Sequence, residues 1–409
     1  MFTAVELTDY TKLIEKVAKQ LHDGTLKPAD LNSDLLTTIL GDVKGALADG
    51  YGKSFYNYDE NAKNKLQLKQ NLYRFSGAKT YQEIAKINYF SQQSRSFADF
   101  KKEALKINKE YNVQYLETEY INANRQGAMA EKWHKAVSQK DLYPNLQYKT
   151  VKDNRVRLEH AQLHDVIKPI DDAFWDTWMP QNGHRCRCYV VQTDSPTTAG
   201  TPEGNPTPGF HGNVGKNNMA FNENEHPYFI FPSEDAKKIK ASFEDMKIST
   251  PDYNIVHTNK KATLEVSTWA DPGDIELNHK YAKILVDKLG ISVKLRPHSE
   301  IEKTKNPEYL INGFVSDLKS PESNNGIGTQ FKKSKEQMGT ITNSYSIVFN
   351  LDLIKELDHN VIITQIENKV SANRGKKITS LFFVRNGKAV ELTRESILKK
   401  DYTKFKSFK

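Results

Sequence analysis

The stretch Asn306-Pro307-Glu308-Tyr309-Leu310-Ile311-Asn312-Gly313-Phe314-Val315-Ser316-Asp317-Leu318-Lys319 decides how the C-terminal part of this chain reads. Asn312-Gly313 lies between two apolar runs, and both residues tolerate the positive φ of a type I′ turn, so a two-residue β-hairpin is predicted. Pairing Ile311 with Phe314 sets Leu310 opposite Val315, Tyr309 opposite Ser316 and Glu308 opposite Asp317. Directly opposed carboxylates repel. Side chains alternate along a strand, so Lys319 shares the face of Asp317. Two acids and a lysine on one hairpin face form a costly cluster unless a cation occupies it.

Outward from the hairpin the pattern is mixed α/β from about residue 255 to 409. A helix over 274–289 buries the stripe Tyr281, Ala282, Leu285 and Leu289, with Asp274 read as its N-cap and Glu276 left near the rim. Ile291–Leu295 alternates as a strand. Beyond the hairpin come a polar helix near 328–338, the strand Tyr345–Phe349 and a helix within 352–370. A second hairpin, 379–392, turns at Asn386-Gly387. Upstream, 193–254 contains Ser195-Pro196, Pro202, Pro206 and Pro208 with many Gly and Asn, and reads as a linker or extended arm. Residues 5–145 read as helical; Leu116, Tyr120, Ala123, Ala130, Trp133 and Val137 form an amphipathic stripe. The expected organisation is multidomain: a mainly α-helical region 1–192, a linker 193–254 and an α/β domain 255–409.

Charge is concentrated in that last domain. Asp271–Lys409 holds 24 Lys and Arg against 17 Asp and Glu, a surplus of +7 out of +8 for all 409 residues. A basic domain joined to a near-neutral one points to a polyanionic partner such as nucleic acid. No apolar run approaches the roughly 18 residues of a membrane span, and Met1–Leu21 shows no secretory h-region. The two cysteines, Cys186 and Cys188, make no disulfide framework, so a reducing compartment is expected.

One stretch of the first part carries chemistry. Arg155–His164 leads into Phe174-Trp175 and then Pro180-Gln181-Asn182-Gly183-His184-Arg185-Cys186-Arg187-Cys188. His160, His164, Cys186 and Cys188 offer four N/S ligands and hence a structural zinc site; the other reading is a strand ending the domain with reduced, packed cysteines. Arg157, His160, Phe174, Trp175, Pro180, Gly183, Cys186 and Cys188 together resemble the signature of phage Mu F-type head morphogenesis proteins, over roughly residues 80–192. The resemblance implies a minor head protein associated with portal and capsid, located in the virion, and a modular habit in which a variable effector follows. It implies a bacterial cytoplasm as the place of production or delivery.

The hairpin supplies the effector's chemistry. Hydrolysing a phosphodiester needs positive charge on the phosphoryl oxygens and an activated water, which a divalent ion between two carboxylates provides. Lys319 orients the nucleophile or stabilises developing charge. Pro307-Glu308, then Asp317-Leu318-Lys319, resembles the PD-(D/E)xK nuclease signature, with Glu308 for the usual Asp. A restriction-endonuclease-like fold is thereby implied, with Glu308, Asp317 and Glu276 holding Mg²⁺, Mn²⁺ or Zn²⁺, and Lys319 completing the catalytic set. The order Lys303-Thr304-Lys305-Asn306-Pro307-Glu308, Asn-Gly turn, Asp317-Leu318-Lys319-Ser320-Pro321 is also similar to the tRNase domains of contact-dependent growth inhibition toxins. That implies metal-dependent cleavage of tRNA and a cognate immunity protein. Lys333 and Gln337 on the following helix, and Arg374 and Lys376 beyond it, are candidate nucleic-acid contacts. Two other readings stand beside this one: a purely structural head protein, and a metal-independent ribonuclease of barnase or colicin type built on His279 and His298.

Overall fold

The computed structural model describes residues 7–58, 61–200, 202–302, 304–338 and 341–408; Thr201 of the expected arm and Lys303 lie outside them. The chain forms two compact units. One takes the residues up to Asn57 and Asn64–Met246, the other Tyr58–Lys63 and Lys247–Lys409.

The first unit is mostly helical, as its periodicity predicts. Helices α1 (Thr11–His22), α2 (Ser33–Tyr51), α3 (Ala62–Ser91), α4 (Phe97–Asn108) and α5 (Leu116–Ser138) come first, with a π-helical turn Lys109–Tyr115 ahead of α5. Asn32 and Ser96 accept the Leu35 and Asp99 backbone N–H groups, capping α2 and α4. Glycines set the approach of α2 to α5: a Cβ on Gly127 would lie 2.1 Å from the Leu47 carbonyl oxygen, and one on Gly50 1.7 Å from that of Asn124. A small antiparallel sheet follows, ordered β2-β1-β3, from β1 (Asn145–Lys149), β2 (Ile167–Pro169) and β3 (Tyr189–Thr193), with α6 (Leu158–Ala161) and α7 (Phe174–Trp178) between them.

The stretch 193–254, expected to be a linker or extended arm, is folded onto the first unit through residue 246. It carries α8 (Val214–Asn217) and begins α9 (Ser233–Ser249). Phe221 stacks on Phe75 with ring centroids 3.7 Å apart, and Asn71 brackets the Phe221 backbone, accepting its N–H at 3.0 Å and donating to its carbonyl at 2.8 Å. Arg74 pairs with Glu223 at 2.8 Å, and Gln82 donates to the carbonyls of Tyr228 and Ile230. Anchors this distant in sequence leave no local periodicity, so turn-forming composition mimics a linker.

The second unit is built on a mixed eight-stranded sheet in which every strand pairs with its neighbour in sequence. Its strands and helices are β4 (Tyr253–Asn259), β5 (Ala262–Ser267), α10 (Ile275–Leu289), β6 (Val293–Leu295), β7 (Tyr309–Ile311), β8 (Phe314–Lys319), α11 (Gly326–Met338), β9 (Tyr345–Asn350), α12 (His359–Lys369), β10 (Ile378–Arg385), β11 (Lys388–Thr393), α13 (Arg394–Leu398) and α14 (Thr403–Lys406). Pairs β5/β6, β8/β9 and β9/β10 are parallel, with α10, α11 and α12 as their crossovers; the remaining pairs are antiparallel. The sheet curls enough for α10 to touch β4–β6 and also β10 and β11. Every residue of β9 is buried, as a central parallel strand requires. On one face, Ile347, Phe349, Leu381 and Phe383 pack with Ile327, Phe331 and Met338 of α11 and Ile362 and Ile366 of α12.

Both Asn-Gly turns form as predicted, Asn312 and Gly313 at φ 48° and 84°, Asn386 and Gly387 at 47° and 73°. The hairpin register matches too: Ile311 pairs Phe314, Leu310 pairs Val315 and Tyr309 pairs Ser316.

Candidate functional site

The register of β8 on β9 sets Asp317 beside Ile347 and Lys319 beside Phe349. Asp317 and Lys319 therefore lie on the face covered by α11, while Ser316 and Leu318 point to the opposite face. Tyr309 belongs to that opposite face and donates its hydroxyl to the Asn278 carbonyl of α10 at 2.9 Å. Glu308 sits one residue before β7 begins, beyond the paired ladder. Its Oε2 accepts the Leu318 backbone N–H at 2.7 Å, which brings its carboxyl alongside that of Asp317.

The cluster is buried. Asp317 is 0% exposed and Lys319 12%, with Lys319 Nζ 2.6 Å from Asp317 Oδ2. Apart from the Lys319 ammonium and the Glu308 carboxyl, no group among the described residues hydrogen-bonds the Asp317 oxygens. Lys319 also reaches the Leu318 carbonyl and Gln337 Oε1, both at 3.3 Å. Burial, then the adjacent Asp317 carboxylate, push the Glu308 carboxyl up to about 8, against the opposing pull of the Leu318 N–H and of Lys319. Two carboxyls share one lysine, so near neutrality the pair holds a proton or a cation. Two adjacent buried carboxyls suit a hard divalent ion.

A small cavity of about 80 Å³ opens at Glu308, walled by Asp271, Asp274, Asn278, Arg296, His298 and Asn306 among others. Asp274, the competing choice for the third acid, lines this cavity; Glu276 does not and is exposed. The reason is helical phase. Asn278, one turn after Asp274, is buried toward the hairpin, and Glu276 is about 200° around the helix from either. Arg296 is a site residue the sequence reading missed: its backbone N–H bonds the Glu308 carbonyl at 2.9 Å and its guanidinium the Pro307 carbonyl at 2.9 Å. Its only sequence signal is its place just past β6. Asn306 fixes the loop, accepting the Ser299 N–H at 2.9 Å.

The remaining candidates scatter. Gln337 joins the cluster through Lys319, and Lys333 is exposed one turn earlier on α11. Arg374 and Lys376 are exposed in the loop before β10, where Ile378 aligns with Tyr345. Lys319 aligns with Phe349, roughly 13 Å further along these parallel strands, so the two basic residues sit toward the other end of the sheet. Arg394, absent from the sequence reading, holds that loop by donating to the Ser371 and Gly375 carbonyls. His279 stacks on Tyr58 at 5.0 Å with Nε2 buried and unbonded among the described residues, and burial lowers its pKa to about 4. His298 lies in the cavity, 3.5 Å from Asp271.

In the first unit, three of the four N/S candidates meet. His160 Nδ1 lies 3.6 Å from Cys186 Sγ and 3.8 Å from Cys188 Sγ, and the group could hold a metal ion. His164 is not part of it. Its Nδ1 accepts the Thr150 N–H at 2.9 Å, and its Nε2 faces Asp165 at 3.2 Å. A four-ligand set is therefore reduced to three.

Known proteins share two separate parts of this chain. Residues 76–191 match the family model described as Phage Mu protein F like protein, and residues 305–390 match that of the contact-dependent growth inhibition CdiA C-terminal domain. Over 75 residues the chain is 43% identical to the putative capsid assembly protein F of Escherichia phage Mu, covering 18% of this chain and only 17% of that protein. A CdiA-CT/CdiI toxin and immunity complex from Burkholderia pseudomallei aligns over 30% of this chain and 85% of its own, at 20% identity and a TM-score of 0.23. The chain thus joins a Mu F-like region to a CdiA C-terminal-like region, and the latter contains Glu308, Asp317, Lys319 and Gln337. Among the described residues no helix is long and apolar enough to cross a membrane.

Proposed function

We propose that the second unit is a metal-dependent nuclease effector, carried by a phage head protein, that hydrolyses phosphodiester bonds of RNA, in the first instance tRNA. The supporting observation is the buried cluster itself. Asp317, fully buried, lies against a second carboxyl whose pKa burial raises to about 8, with the Lys319 ammonium at 2.6 Å. A merely structural ion pair has no use for the second acid. Exposed pairs contribute only about 0–1 kcal/mol, and burying an unbalanced carboxylate costs more than that.

In this reading Glu308 and Asp317 would hold a divalent cation, which would supply Lewis-acid charge to the scissile phosphate. Asp274, on the wall of the same cavity, replaces Glu276 as the third acid. Lys319 is paired with Asp317 and steadied by Gln337, so its ammonium is placed to neutralise charge growing on the phosphoryl oxygens. The nucleophilic water loses its proton to a neighbouring base as its oxygen bonds phosphorus, and the sugar oxygen leaves with the electron pair of the broken P–O bond and takes up a proton. The basic surplus of the C-terminal third and exposed Lys333 supply the backbone attraction. The first unit would associate with the phage portal and capsid, and a nuclease acting on cellular tRNA requires a protecting immunity partner in the cell that makes it.

The test is expression of the full chain, wild type and as Asp317→Ala or Lys319→Ala, followed by growth curves and gels of cellular tRNA and DNA, then cleavage by purified protein with Mg²⁺, Mn²⁺ or Zn²⁺. Growth arrest with tRNA cleavage lost in both variants is expected. A wild type inactive with every metal sinks the enzyme reading; cleavage that survives both substitutions and EDTA moves it to a metal-free ribonuclease.

A further inference from the structure

We propose that His160 Nδ1, Cys186 Sγ and Cys188 Sγ are the protein ligands of a tetrahedral Zn²⁺ that fastens α6 to the loop entering β3, independently of any chemistry in the second unit. The distances are those the ion requires. With Zn–S of about 2.3 Å and Zn–N of about 2.0–2.1 Å, tetrahedral geometry separates S from N by roughly 3.6 Å; the observed separations are 3.6 and 3.8 Å. All ligand atoms lie within 4.8 Å of one another.

The surroundings present these atoms without help from the ion. Cys186 and Cys188 are two residues apart, and extended backbone puts such side chains on one side. The loop that carries them is tied from outside. Arg125 donates to the Cys186 carbonyl at 2.7 Å and Gln181 to the same carbonyl at 3.3 Å, while Arg157 donates to the His184 carbonyl at 2.9 Å. His160 turns Nδ1 toward the sulfurs although this leaves its Nε2 buried without a hydrogen-bond partner among the described residues. A metal–nitrogen bond offsets that loss far better than an S–H···N contact does.

Chemistry selects the ion. Two thiolates and an imidazole are a borderline-soft set that favours Zn²⁺ over Mg²⁺ or Ca²⁺. Two thiolate charges cancel those of the ion, so the site is neutral where His160, Cys186 and Cys188 are only 2%, 3% and 8% exposed. The fourth vertex falls to a water, since His164 is engaged with Thr150 and Asp165.

The experiment measures metal on the full chain purified under reducing conditions. On the Asp317→Asn background, which removes the carboxylate site, one equivalent of zinc by mass spectrometry is expected with or without His164→Ala, and at least a tenfold loss on adding Cys186→Ser or His160→Ala. Cobalt in place of zinc on the Asp317→Asn chain should give tetrahedral d–d bands and a thiolate-to-cobalt charge-transfer band, which carboxylate ligands cannot produce. Should the ligand variants fail to fold, that spectrum decides alone. Absence of the charge-transfer band, or full zinc occupancy in soluble Cys186→Ser, overturns the proposal, and the three residues are then a hydrogen-bonded thiol cluster.

Discussion

Asp317 is fully buried against Lys319 and the Glu308 carboxyl, and the proposed role of its carboxylate as a metal ligand can be tested on its charge alone. Asp317→Asn keeps the shape and removes the charge; it should lower cleavage at least ~100-fold, the scale of losing one preorganised charge contact, while leaving the melting temperature within a few degrees. Glu308 makes a pH prediction with a definite sign. Its folded pKa is raised by burial and by Asp317 to about 8, above the ordinary carboxylate value near 4.3, so between those limits the metal-free folded state binds more protons than the unfolded one. Stability without divalent ion should therefore fall as pH rises through this window. Mg²⁺ or Mn²⁺ must displace the same proton, so its affinity should rise with pH there. Thermal melts of wild type and Glu308→Gln with EDTA and with metal check both halves, and a wild-type slope unchanged by Glu308→Gln would refute the assignment. The hairpin triad was legible because Asn-Gly turn chemistry and strand alternation are local. Which acid of the α10 region lines the Glu308 cavity was not, because telling Asp274 from Glu276 needs to know which side of α10 faces the hairpin.

Among the elements, close helix contact in the first unit depends on glycine. Gly127→Ala places a methyl 2.1 Å from the Leu47 carbonyl oxygen, against backbone that cannot rotate away. A loss of about 1–3 kcal/mol or more is expected in chemical denaturation, whereas Gly41→Ala on α2, where a Cβ meets nothing within 4 Å, should be neutral or slightly stabilising. The β4–β5 hairpin escaped sequence reading for a specific reason. Its turn places Lys260 at φ 55°, a residue that gives no turn signal, and β4 is only half-buried along its length. The packed segment 204–232 escaped likewise, because Phe221 is paired with Phe75 across much of the chain. Phe221→Ala should cost about 3–5 kcal/mol and expose 204–232 to limited proteolysis; equal protease sensitivity of wild type and variant would show the segment unpacked.

For the whole molecule, the uneven charge is the quantity that matters, with +7 of the +8 in Asp271–Lys409. Substrate binding should weaken steeply with salt. Lys333→Ala, on the helix that meets the cluster, should raise KM and flatten the salt slope by about one phosphate contact, while Lys376→Ala, toward the far end of the strands, should do neither; titrations at several salt concentrations separate the two. The sequence alone determined the helical and α/β halves, both Asn-Gly hairpins and the Glu308–Asp317–Lys319 grouping, because each rests on periodicity or on contacts a few residues apart. Tertiary structure alone decided that Asp274 rather than Glu276 walls the cavity with Arg296, that His164 leaves the His160–Cys186–Cys188 group, and that the proline-rich stretch packs on the first unit. Those outcomes turn on which faces meet in space, and residues far apart in the chain leave no trace of that in local order.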